Sequence, residues 1–180
     1  MKKIFVFIYL ITMVFYMNAQ NVTKPEKHRY IYLWDVTLSM KGYQGKTPDI
    51  YEDVVKYLQK SIDGLPNGKN REIIVCPFQE EILATWKDVC TIDGKNNIKN
   101  RISEFNNNNV THTNLVDPLN YVEDNFVDAD NYETSIYLLT DGNHNANKKS
   151  FKDYLDNNWN KENRFLHLKI IKLNKDILTD

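Results

Sequence analysis

The chain has 180 residues, enough for one domain with a substantial core. Its formal net charge of −1 gives no general pull toward nucleic acid or anionic membranes. The 23 asparagines, including the run Asn106 to Asn109, read as biased composition in surface loops, and there is no glycine-rich phosphate loop, nucleophile elbow or basic aromatic stripe.

The N-terminus reads as an export signal. Lys2 and Lys3 precede the apolar run "IFVFIYLITMVFYMNAQ", about as long as a signal-peptide core. Cleavage is expected after Ala19, with Gln20 as the new terminus. Met17 is a poor residue three positions before a cleavage site, so an uncleaved membrane anchor is the alternative. No cysteine follows the run, which disfavours a lipid-anchored signal. The expected organisation is a signal peptide over 1–19, a linker over 20–27 and one domain over 28–180. The mature protein would then be periplasmic or secreted.

The first strand covers Tyr30 to Trp34, apolar at every position as a central strand buried on both faces should be. It ends abruptly in Asp35, with Thr37 and Ser39 following at alternate positions of an expected extended loop, so that both hydroxyls can face one point. "KTPDIYEDVVKYLQKSIDGLP" predicts a helix with Thr47 as N-cap and Pro48 at the first helical position, stopped by Gly64 and Pro66. Ile50, Val54, Leu58 and Ile62 recur every fourth residue along it.

"REIIVCPF" and "EILATW" predict two strands joined by a tight turn near Gln79 and Glu80. That turn would pair Cys76 with residues around Leu83 and Ala84 rather than with Cys90. Export would permit a Cys76–Cys90 disulfide, but this register argues against it. "NIKNRISEF" predicts a second helix, and "THTNLVDPLNYVEDNF" a loop feeding a third, with Leu115, Leu119 and Val122 inward. "TSIYLLTDGNHN" is a second wholly apolar strand ending in a polar burst at Asp141; "KSFKDYLDNNW" supplies a fourth helix and "FLHLKIIKLN" a last strand.

Helices between apolar strands imply a Rossmann-like, doubly wound α/β fold: a mostly parallel sheet with one antiparallel edge strand and helices on both faces. Sites in such sheets form at the carboxyl ends of strands, where Asp35 and Asp141 both stand. Three polar clusters fall on that rim: Asp35, Thr37 and Ser39; "THTN" with Thr111 and Thr113; and "TDG" with Asp141. Taken singly, these clusters read as loop caps and turns. Together, two carboxylates and three hydroxyls on one rim favour a hard divalent ion over zinc.

"DVTLSM" after the first apolar strand, "THTNLVDPL" before a helix and "IYLLTDG" at a later strand end resemble the von Willebrand factor A domain family. Its metal-ion-dependent adhesion site reads Asp-x-Ser-x-Ser, then a distant Thr, then a distant Asp. The match falls on Asp35, Thr37, Ser39, Thr113 and Asp141, with Thr37 in place of the first serine. His112 stands where family members commonly have glycine, so Thr111 is an alternative to Thr113. The chain also stops after "IIKLN", without the further helix and strand of many members, so the last strand is expected at a sheet edge guarded by Lys169 and Lys172.

The resemblance implies a non-enzymatic module that holds Mg²⁺ (or Mn²⁺, or Ca²⁺) and captures a protein ligand through that partner's Asp or Glu. Two other chemistries compete. A haloacid-dehalogenase-like phosphotransferase would use Asp35 as nucleophile, but Thr37 stands where its general acid belongs. A transition-metal site would add His112 and His144, which as a bland reading are loop residues bordering the rim.

Overall fold

The computed structural model describes residues 24–42, 49–106, 112–142, 151–159 and 165–173. β1 spans Lys27–Asp35, β2 Gly68–Phe78, β3 Trp86–Cys90, β4 Tyr132–Thr140 and β5 Leu166–Lys172. They form one sheet in the order β3-β2-β1-β4-β5. Every neighbouring pair is parallel except β2 with β3. The helices are α1 (Tyr51–Asp63), α2 (Ile92–Glu104), α3 (Asp117–Phe126) and α4 (Phe151–Asn158). The expected doubly wound α/β fold with one antiparallel edge strand is therefore the fold observed.

Alternation along β1 sorts its side chains between two cores. Tyr32 and Trp34 join Val54, Leu58 and Ile62 of α1 and Ile98 and Ile102 of α2 on one face. Ile31 and Leu33 join Leu119 and Val122 of α3 and Tyr154 of α4 on the other. This is why β1 is apolar at consecutive positions: both its faces are covered. At the amino end of the sheet, Arg29 clamps three elements together. It pairs with Glu72 at 2.6 Å, donates to the Phe126 carbonyl and lies 3.7 Å over the Tyr132 ring.

Three local expectations are corrected. The first helix begins at Tyr51, not beside Pro48, and Ile50 occupies its N-cap; Thr47 and Pro48 lie outside the described residues. The cause is stitching to the loop after β1. Lys41 and Asp49 form an isolated antiparallel bridge, and the Ile50 N–H donates to the Met40 carbonyl at 3.0 Å. With Asp49 and Ile50 engaged in these bonds, the helix starts only at Tyr51.

The second strand of the hairpin is Trp86–Cys90 rather than residues 81–86. Pro77 has no N–H for a tight ladder near the turn. Residues 79–85 form a wider loop instead, with the Leu83 N–H donating to the Pro77 carbonyl at 2.9 Å and a lone bridge between Phe78 and Ile82.

The third correction concerns the loop after β1. Leu38–Met40 is a 3₁₀ turn, not extended chain, closed by the Met40 N–H on the Thr37 carbonyl at 3.1 Å.

Cys76 and Cys90 are free and buried, and they belong to the cores on opposite faces of the sheet. Burial pushes the Cys76 thiol up to about 12, as suits a small apolar filler. β5 lies at the sheet edge as expected, with Lys169 and Lys172 exposed on it. The leader expected over 1–19 lies outside the described residues; among those described, no helix is long and apolar enough to cross a membrane.

Candidate metal centre

β1 and β4 are neighbours, but the helices that follow them pack on opposite faces: α1 in one core, α4 in the other. The chain therefore diverges at the carboxyl ends of these two strands. A crevice at such a switch point is where open α/β sheets bind ligands. Asp35 ends β1 there, and Thr140 ends β4.

Asp35 and Thr37 are fully buried, and Thr113 and Thr140 are 1% exposed. A buried carboxylate needs donors, and three are supplied. The Thr37 N–H donates to Asp35 Oδ1 at 3.0 Å, and the Thr37 hydroxyl donates to the same oxygen at 2.7 Å. The Thr140 hydroxyl donates to Oδ2 at 2.7 Å. Thr113 joins from the loop before α3, its hydroxyl donating to Thr37 Oγ1 at 3.2 Å. The 3₁₀ turn folds Ser39 back so that its Oγ lies 3.1 Å from Thr37 Oγ1, closer than an extended chain would allow. Three hydroxyls from two loops thus meet beside one carboxylate.

Burial pushes the Asp35 carboxyl up to about 6, and the Asp141 charge adds to this, against the pull of the hydrogen bonds from Thr37 and Thr140. The hydrogen bonds Asp35 accepts come from neutral donors. Among the described residues no cation pairs with Asp35, and a fixed, buried acid beside convergent hydroxyls could hold a hard divalent ion. Such an ion fits these residues. Among the described residues, no three His, Cys, Asp or Glu converge as a metal cage, so a zinc-type ligand set is not found there.

The sequence pointed to Asp35, Thr37, Ser39, Thr113 and Asp141. The structure joins the first four through hydrogen bonds and places Asp141 directly after β4, where its charge reaches Asp35. Thr111 and His144 lie outside the described residues. His112 is exposed and faces Glu80, with Nδ1 3.4 Å from Oε1. His28 and His167 both contact Glu133, at 3.2 and 3.3 Å, at the amino end of the sheet away from the rim. Sequence reasoning missed Thr140. Its signal was present in "LLTDG", but Thr140 reads there as one more buried strand residue.

No protein-family model matches the sequence, and no curated protein does. Solved structures of similar fold are numerous. Proximal thread matrix protein 1 of the mussel byssus, in a structure with a zinc-occupied MIDAS motif, superposes at TM-score 0.61 and 18% identity, over 82% of this chain and 38% of that one. A von Willebrand factor type A protein from Catenulispora acidiphila matches at TM-score 0.58 and 12% identity, over 80% and 32%. The chain has a von Willebrand factor A-like fold.

A third similar structure, an aerotolerance-related membrane protein from Bacteroides fragilis, covers 79% of this chain and 66% of that one at 14% identity and TM-score 0.53. The von Willebrand factor A-like chain thus spans 38% and 32% of the first two proteins. The phosphotransferase reading of Asp35 is not favoured by these comparisons. It also has Thr37, an engaged hydroxyl, where a second acid belongs.

Proposed function

We propose that this domain is an exported, metal-dependent binding module that performs no chemistry of its own. It holds one divalent ion, Mg²⁺ (or Mn²⁺, or Ca²⁺), at the rim between β1 and β4. The observation that carries this reading is the meeting of the Thr37, Ser39 and Thr113 hydroxyls beside buried Asp35. Those hydroxyls would touch the ion, and Asp35 and Asp141 would supply its charge balance. An ion ringed mainly by neutral oxygens stays electrophilic, so an Asp or Glu on a protein partner would complete its shell.

Several points support this reading. The fold is the one on which a zinc-occupied site of this kind occurs in the byssus protein. Export is supported by Lys2, Lys3 and the apolar run after them. It also agrees with two of the similar folds, one from a byssus and one described as a membrane protein.

The test is thermal melting of the purified protein in a chelator and in free Mg²⁺, Mn²⁺ or Ca²⁺. An ion that binds only the folded state raises the melting temperature with its concentration, by about 2.7 kcal/mol of stability at 100 times Kd. Melting curves that coincide in chelator and in all three ions would remove the reading.

A further inference from the structure

We infer that Thr140 is a positioning residue of the metal centre proposed above: its single hydroxyl fixes the Asp35 carboxylate and also holds the turn that carries Asp141. The inference rests on that reading and adds a residue to it.

The geometry makes the case. Both bonds from Thr37 end on one atom, Asp35 Oδ1, arriving from the N–H at 3.0 Å and from the hydroxyl at 2.7 Å. Two bonds on one oxygen leave the carboxylate free to pivot about that oxygen. The Thr140 hydroxyl, 2.7 Å from Oδ2, is what stops the pivot. It reaches Asp35 from the neighbouring strand, so it also ties the ends of β1 and β4 together.

A threonine hydroxyl has one proton to donate and lone pairs to accept with. The proton goes to Asp35; a lone pair accepts the Gly142 N–H at 3.1 Å. Gly142 has φ +86, a left-handed conformation that L side chains rarely adopt, so the chain turns sharply straight after Asp141. One buried oxygen therefore fixes the orientation of the first carboxylate and the backbone around the second. Valine matches threonine in shape and would serve packing at the end of "YLLT" as well or better, so the hydroxyl is the informative difference.

Residues that orient metal ligands typically cost about 10- to 100-fold in metal affinity when removed. The test is Mn²⁺ titration of the purified protein, followed calorimetrically well below melting, for wild type, Thr140→Val and Thr140→Ser. A control comes from the same strand: Thr134 is equally buried, and its hydroxyl has no hydrogen-bond partner among the described residues. Thr134→Val should leave Mn²⁺ affinity unchanged.

Thr140→Val is expected to weaken Mn²⁺ about 10-fold or more, with Thr140→Ser recovering most of the loss. A role confined to stability would not be rescued in affinity by serine. If Thr140→Val fails to fold, Thr140→Ala removes the same hydroxyl without placing a methyl against the carboxylate, and its affinity is read in the same way. Wild-type binding with unchanged affinity in the Thr140 variants would overturn this inference and leave the metal centre standing. Wild type that takes up no Mn²⁺ would overturn both.

Discussion

Asp35 is held in a place where its charge is disfavoured. Burial pushes its carboxyl up to about 6, with the Asp141 charge adding to the effect, against about 3.9 for an unperturbed aspartate. The sign follows from linkage. A raised folded pKa means the unfolded chain ionises first, so the group's favourable contribution is complete below about pH 4 and is lost as pH rises through about 6. In chelator, the metal-free wild type should lose melting temperature between about pH 4 and pH 6.5 relative to Asp35→Asn. Saturating Mn²⁺ should cancel the loss, because the ion supplies the missing positive charge. Melting curves of both proteins across that range, with and without Mn²⁺, check this; an identical pH dependence in chelator would contradict it.

At this scale the sequence showed the acceptor residues and hid one of their partners. Asp35, Thr37 and Ser39 break an apolar run, so their oxygens need an explanation. Thr140 breaks nothing: threonine belongs in strands, and its hydroxyl matters only because β4 lies beside β1 with Thr140 at the end. That juxtaposition belongs to the sheet, not to local sequence. Thr113 was legible through its motif, but its bond to Thr37 spans 76 positions and depends on the same packing.

At the scale of elements, helices were easier to place than the hairpin. Val54, Leu58 and Ile62 recur every fourth residue and are all buried on α1. "EILATW" has strand-like composition, but Pro77 denies its partner strand an N–H, and pairing resumes only at Trp86 opposite Val75. The resulting β3-to-α2 corner makes its own prediction. A Cβ built on Gly94 would lie 2.0 Å from the Val89 carbonyl oxygen, which is backbone and cannot swing away. Helix propensity alone would favour Gly94→Ala by about 1 kcal/mol. The overlap should win, with a net loss of about 2 kcal/mol, within the usual range for overpacking. Urea unfolding decides it, since a midpoint raised by Gly94→Ala would show that the corner relaxes freely.

At the scale of the molecule, the order of elements and the double covering of the sheet were readable, because wholly apolar strands alternating with amphipathic segments admit few arrangements. The strand order was not readable in the same way. It is the order that sets β4 against β1 and so brings two strand-end acids to one crevice. The fold positions the rim; the rim's hydroxyls and carboxylates give it its chemistry. The most direct measurement is the stoichiometry of ion binding: calorimetric titration of Mn²⁺ into wild type and into a Ser39→Ala, Thr113→Ala double variant. One ion per chain is expected in wild type, with loss of that binding in a variant that still melts cooperatively in chelator. Uptake of the same single ion by the double variant, at wild-type affinity, would contradict it.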